Sequence, residues 1–321
     1  MTNRFAEIDV KTSGGNDNYN GLQVMLNRRF AQGFSLGGQY MWGHSIGDSD
    51  GSKDAQSSSN NYIFTSEHGD NVSDVRQTFN FNALYQLPYG TAKRFGANSS
   101  SIAKAIFGDW QAATVFNTRS GLPIEVGIVR PDIAYQNTTT GAISAAPVIS
   151  STGVIQTVPV VNVLGGGNSR NRRRPDRVPG VDPYLHGVTG NGFVPWLNPA
   201  AFAMPAPGTN GNLARNALRG PGMYQLDLTM SKKYLFKENK NVEFRAECYN
   251  ILNHAVFQIP GYATVSGGIA RLNDATGVIQ PGQPYTQAAA GGTFGALTST
   301  VSNQVGAGTN RQFQMVMRVN F

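Results

Sequence analysis

The last eleven residues, Arg311 to Phe321, constrain the fold more than any other stretch of the chain. In an extended chain Phe313, Met315, Met317, Val319 and Phe321 share one face, while Gln312, Gln314, Val316, Arg318 and Asn320 share the other. Side chains alternate across a strand, so one face calls for an apolar medium and the other for water. Soluble domains rarely end on their most apolar face with an aromatic residue at the carboxylate. A membrane barrel does so readily, because lipid-facing and lumen-facing side chains alternate and aromatic rings collect at the interface.

The same alternation recurs upstream. Strands are expected over Ala6–Thr12, Tyr19–Phe30, Phe34–Gly43, Val75–Leu87, Trp110–Thr118, Tyr224–Met230 and Val242–Tyr249, with the C-terminal run as the eighth. Phe79, Phe81, Ala83, Tyr85 and Leu87, for example, oppose Thr78, Asn80, Asn82 and Gln86. Several segments reach the ~9–11 residues that cross a bilayer at a tilt. No run of eighteen apolar residues exists, so no transmembrane helix is expected. Mean hydropathy is −0.27, which does not argue against a barrel, because alternating strands average out.

The connections give a second test. If the last strand ends in the periplasm, the connections after strands 2, 4 and 6 should be short, and those after strands 1, 3, 5 and 7 long. Ala31-Gln32-Gly33 and Tyr234–Asn241 are short; loops of approximately 44–73, 121–222 and 254–310 are long. The connection after strand 1 is too short, and Pro88–Asp109 too long, for the rule. A soluble β-sandwich predicts no such alternation. The long connections are rich in Gly, Ser, Asn, Thr and Pro and read as exposed loop, while Ser101–Phe107 can form a short helix.

The net charge is +7, and much of it comes from Arg170, Arg172, Arg173, Arg174 and Arg177 in one Gly/Pro/Asn-rich stretch. No aromatic residues interleave with these arginines, so no nucleic-acid partner is expected. A solvated loop facing anionic headgroups, sugars or a ligand is the reading instead. The single cysteine, Cys248, excludes an internal disulfide and reads as a small apolar strand residue.

Motifs that suggest chemistry lack their context. Gly43-His44-Ser45-Ile46-Gly47 matches a nucleophile elbow, which needs a strand before it and a helix after it; Asp48-Ser49-Asp50-Gly51-Ser52 follows instead. Asp48, Asp50 and Asp54 resemble part of a calcium loop, but Gly51 comes too early and Ser59 cannot close the site. Gly165-Gly166-Gly167 has no strand–helix context for phosphate, and His44, His68, His186 and His254 have no metal-ligand spacing. No catalytic residues, metal or cofactor are therefore expected. The more informative polar residues lie on the inward faces: Asn27, Arg29, Asp227, Glu243, Arg245, Glu247 and Arg318. In a narrow barrel such charges must pair; in a wide one they line water or grip a plug.

Several strings resemble TonB-dependent outer-membrane receptors of the Oar-like group. They are Asn18-Tyr-Asn-Gly-Leu-Gln-Val-Met-Leu-Asn-Arg-Arg-Phe30, Trp196-Leu-Asn-Pro-Ala-Ala-Phe-Ala203, Gly211-Asn-Leu-Ala-Arg-Asn-Ala-Leu-Arg-Gly-Pro-Gly222, Leu226-Asp-Leu-Thr-Met-Ser-Lys232 and Phe244-Arg-Ala-Glu-Cys-Tyr-Asn-Ile-Leu-Asn-His254. The resemblance implies an all-β, antiparallel transmembrane barrel segment, about eight strands of a ~22-stranded wall. It also implies Phe313 and Phe321 as part of the signal read by the barrel-assembly machinery, and outer-membrane lipid as the surrounding medium. Residues 1–321 would then be a partial barrel, without signal peptide or plug, belonging to a longer exported protein. The TonB system would be reached only through that plug, and the solute is not named by any residue. The alternatives are a self-contained eight-stranded adhesin or structural barrel, and a hydrolase built on Ser45.

Overall fold

Seven long strands run antiparallel in one sheet, each beside its neighbour in sequence. In a computed structural model that describes residues 14–48, 67–129, 133–144, 146–161, 173–188, 192–237, 240–260, 269–273, 279–301 and 310–320, they are β1 (Asp17–Ala31), β2 (Phe34–Gly47), β3 (Gln77–Gln86), β4 (Trp110–Arg119), β5 (Met223–Lys237), β6 (Lys240–Tyr249) and β7 (Gln312–Asn320). A two-residue strand, Gly69–Asp70, adds to the end of β2. Among the described residues β1 pairs only with β2, and β7 only with β6. The expected strand Ala6–Thr12 and the terminal Phe321 lie outside the described residues.

Register carries one chemical face across all seven strands. Leu22, Val24 and Leu26 lie opposite Trp42, Tyr40 and Gly38, and Tyr40 and Gly38 opposite Phe79 and Phe81. Phe81 faces Phe116, Phe116 faces Leu226, and Leu228 and Met230 face Cys248 and Ala246. Cys248, Ala246, Phe244 and Val242 meet Phe313, Met315, Met317 and Val319. Among the described residues no second layer covers this face: Phe79, Phe244 and Met315 are 36%, 44% and 90% exposed, and Leu226 is only half-buried. The other face carries Gln23, Asn27, Gln39, Asn80, Asn82, Gln225, Asp227, Glu243, Arg245 and Glu247. Aromatic rings stand on the apolar face near both ends of the wall. Trp42, Phe79, Tyr224 and Phe313 lie towards one end, and Phe34, Tyr85, Trp110 and Tyr234 towards the other. Two such belts are what a barrel wall places at its two interfaces.

The two ends differ. At one, β1 and β2 are joined through Gln32 (φ 54°) and Gly33 (φ 78°). Both lie in the left-handed region, and a two-residue turn of that kind matches strand twist. At the same end the β3–β4 connection contains α1 (Ser101–Phe107), capped by the Ser100 hydroxyl, which accepts from the Ala103 amide. We call this the turn end.

At the opposite, loop end the long connections fold against one another, contrary to their sequence reading as exposed loop. The β4–β5 hairpin continues past the wall. After Gly121 and Gly220 the strand Pro123–Val129 pairs with Leu218–Arg219, and Ile269–Asn273 joins it in parallel. A Cβ on Gly121 would collide with the Gly220 carbonyl, so the two arms can approach this closely only with glycine there. Ile124, Val126, Leu197, Phe202, Met204, Leu218, Leu272 and Tyr285 pack into one core. Phe202 and Phe294 meet edge to face at 5.9 Å. The folded core of this protein therefore sits in its loops, forming a cap, while the wall has none.

If the apolar face meets hydrocarbon, Leu228→Arg near mid-wall should cost ~2–4 kcal/mol, whereas Gln39→Arg on the opposite face should cost little. Denaturant unfolding of both variants in lipid vesicles tests this; equal costs would contradict it.

Candidate functional site

The polar face of the wall is the first candidate surface. Arg245 lies between two carboxylates on its own strand, 3.0 Å from Glu243 and 3.3 Å from Glu247. The Tyr249 hydroxyl donates to the other Glu247 oxygen at 2.7 Å. Asp227 accepts from the Gln225 amide at 2.9 Å and from the Asn250 backbone N–H at 2.8 Å. Register sets Arg318 opposite Glu243. Asn27 shares a row with Gly37 and Asn82, and the bare glycine lets both amide oxygens come close. Six of the seven expected lumen residues thus share one face. Arg29 falls where the β1–β2 register shifts, between Arg28 and Ala31.

At the loop end a charged latch joins cap to wall. β2 presents His44 and Ser45; the segment after Gly69 presents Asp70, Asn71, Asp74 and Arg76; the cap hairpin presents Arg215 and Arg219. Arg219 donates to both Asp70 and Asp74, and its other nitrogen to the Asp74 carbonyl at 2.8 Å. Arg76 lies 3.1 Å from Asp70 and 3.3 Å from Asp74. His44 Nε2 is 3.0 Å from Asp70, and Asp74 accepts the Ser45 N–H at 2.6 Å. Arg215 donates to the Asn71 side chain at 2.8 Å. Burial alone would push the Asp74 carboxyl up. Hydrogen bonds from Arg219 and Ser45, with the charges of Arg219 and Arg76, outweigh it and hold the group below its ordinary value of 3.8.

The arginine cluster is not a solvated surface where it is described. Arg173 and Arg174 are buried, at 4% and 3% exposure. Arg174 forks onto both Glu67 oxygens at 2.9 and 3.1 Å and lies 3.9 Å from Glu125; Arg173 donates to the Thr209 carbonyl at 3.0 Å. Their expected role in surface contact is corrected to a structural one, because Glu67 and Glu125 fold onto Arg174, and the Thr209 carbonyl onto Arg173, from more than thirty residues away in sequence. Arg177 stacks over Phe202 at 6.0 Å. Arg170 and Arg172 lie outside the described residues, as do Asp50, Asp54 and Gly165-Gly166-Gly167.

The remaining motifs resolve simply. Ser45 lies within β2, so the strand-to-helix turn of a nucleophile elbow is not formed there, and its hydroxyl accepts from Asn71 at 2.8 Å. Asp48 pairs with His68 at 2.9 Å, and His254 stacks on Tyr224 at 3.7 Å. Among the described residues no group of three or more His, Cys, Asp or Glu could hold a metal ion. Cys248 is buried beside Leu228 and Phe313. Phe313 is 76% exposed on the apolar face.

Sequence reasoning missed the latch. Its acids sit in Glu67-His68-Gly69-Asp70-Asn71-Val72-Ser73-Asp74-Val75-Arg76, a charge-dense stretch in a chain with only 14% charged residues, which was the available signal.

Arg174→Ala should cost about 3–5 kcal/mol, because it removes the buried cation that forks onto Glu67 and lies near Glu125; earlier proteolysis of the cap in intact vesicles is the expected readout. Because the folded value of Asp74 is lowered, its contribution is complete above the ordinary Asp range and lost as pH falls through the depressed value. Pepsin cleavage within residues 67–76 should therefore rise as pH falls below 3.8, and Asp74→Asn should remove that pH dependence.

No curated protein and no solved structure matches the chain. A family model described as an outer membrane beta barrel domain matches residues 1–314. An exposed apolar face bounded by aromatic belts, a polar face opposite, and a cap of long connections at one end agree with that match: the chain belongs to the outer membrane β-barrel domain family.

Proposed function

We propose that this domain forms part of the wall and the ligand-facing cap of a TonB-dependent receptor in the outer membrane, through which a bulky solute is taken up or exported. The loop end would face outward and the turn end the periplasm. The observation that carries the reading is the openness of the polar face. Gln23, Asn27, Asn80, Asn82, Gln314 and Arg318 remain exposed there. An eight-stranded barrel fills its interior with side chains, whereas a wide barrel leaves it to water or a plug. The unpaired outer edges of β1 and β7 among the described residues point the same way, since a lone sheet with two open edges invites aggregation and neighbours in a larger wall would cover them.

On this reading the domain performs no covalent chemistry. It supplies hydrophobic wall, a lumen lined by the Glu243–Arg245–Glu247 ladder, and an outward cap shaped for recognition. Energy coupling to TonB would run through the plug of such a receptor. The barrel-assembly machinery would read β7, with Phe313 and the terminal Phe321. The same fold would also serve a self-contained adhesin or structural barrel, and pairing separates the two. Disulfide scanning in outer membranes, between cysteines placed along residues 6–31 and along β7, is expected to give no efficient intrachain bond. A bond formed in register between those segments would establish a small closed barrel and end the receptor reading.

A further inference from the structure

At the turn end the β3–β4 connection folds back onto the lipid-facing side of the wall. Two side chains on that side hold it. Lys232 Nζ donates to the carbonyls of Ala105, at 2.6 Å, and Lys104, at 3.3 Å; Trp110 Nε1 donates to the Ile106 carbonyl at 2.8 Å. Lys232 and Trp110 face each other across β5 and β4, on the same face as Leu228 and Met230. Lys232 is buried, at 5% exposure, and its ammonium stands over the Tyr234 ring at 4.8 Å. A buried cation on these carbonyls complements the negative end of the helix. It fixes α1 beside the turn-end aromatic belt.

Held there, α1 has almost nothing to pack against. None of its residues is buried, and Ile102, Ile106, Phe107 and the nearby Phe95 are 72%, 53%, 62% and 54% exposed. A helix of seven residues does not persist in water on its own propensity. The segment is also basic: Lys93, Arg94 and Lys104 stand against a single acid, Asp109. Its loop is firmly built. Tyr89 and Ser99 share a hydrogen bond at 2.9 Å, and Gly90 and Phe95 pair through Gly90 N–H to Phe95 carbonyl at 3.0 Å.

We propose that residues 87–109 form a foot seated in the headgroup layer of the phospholipid leaflet at the turn end. Ile102, Ile106 and Phe107 enter the acyl boundary, and Lys93, Arg94 and Lys104 meet lipid phosphates. Continuity with the lipid-facing wall selects lipid over a protein partner, and the cations match the charge of its headgroups. The inference rests on the membrane reading of the wall.

The test uses the full chain assembled into vesicles of phosphatidylethanolamine and phosphatidylglycerol, with Cys248→Ala and a fluorophore on Ile102→Cys or, separately, on Met315→Cys. Lipids carrying a nitroxide near the headgroup or near the chain end serve as quenchers. Interfacial helices sit ~5–10 Å into the boundary, so the Ile102 label should be quenched about twofold more by the shallow nitroxide than by the deep one. Lys93→Gln/Arg94→Gln/Lys104→Gln should remove the gain in quenching seen with phosphatidylglycerol over neutral phosphatidylcholine. Quenching at Met315 without quenching at Ile102 overturns the foot and leaves the wall in lipid. An Ile102 signal that depends on protein concentration rather than on nitroxide lipid overturns it in favour of a second copy. Quenching at neither site overturns the membrane reading and the foot with it.

Discussion

A continuous apolar surface that no layer of the described residues covers is the constraint on which the rest of this structure depends. Cross-strand register keeps Leu22, Tyr40, Phe81, Phe116, Leu226, Ala246 and Met315 on one side of seven successive strands. Backbone groups inside the sheet are satisfied by pairing, so the face can meet hydrocarbon without stranding an N–H or a carbonyl. In water the same face would be a large exposed patch of the kind that drives association. The medium does for the wall what a core does for a soluble domain.

The cap obeys the opposite rule. There the apolar side chains turn inward, and Leu197, Phe202, Leu272 and Tyr285 are essentially sealed from solvent. Charge is handled accordingly. Along the wall, Arg245 and its two glutamates stay partly wet, where ion pairs contribute little. At the junction, Asp74 and the Arg174–Glu67 pair are buried, where losing one partner is costly. The latch thus concentrates its energetic weight where wall and cap must keep a fixed relation.

Much of the wall was legible in the sequence because period-two alternation is a local signal. β1, β3, β4, β6 and β7 fall within a few residues of their expected bounds. β5 runs past Met230 to Lys237 because the pattern breaks at Lys232, a cation on the apolar face. No local rule anticipates that the carbonyls of α1 would receive it. The cap was illegible for a related reason. Its core draws two to four residues each from stretches around Ile124, Leu197, Leu218, Leu272 and Phe294, separated by glycine and proline, so no single window shows a period. Arg173 and Arg174 read as solvated because Glu67 and Glu125 are brought to that site only by the tertiary fold. The ladder of charge on the polar face, by contrast, was visible, since Glu243, Arg245 and Glu247 sit two apart on one strand.

The β4–β5 hairpin crosses the rim without a break in chain direction: Arg119 pairs with Met223 in the wall, and Pro123 with Arg219 in the cap. Mechanically this is a cantilever rooted in the middle of the seven strands. A load placed on the outer structure passes through the close Gly121–Gly220 crossing into β4 and β5, and through the Arg219 latch into β2, rather than into the outer edges of β1 and β7. Displacement of the cap is therefore coupled to the strands whose polar sides carry Asn117 and Asp227.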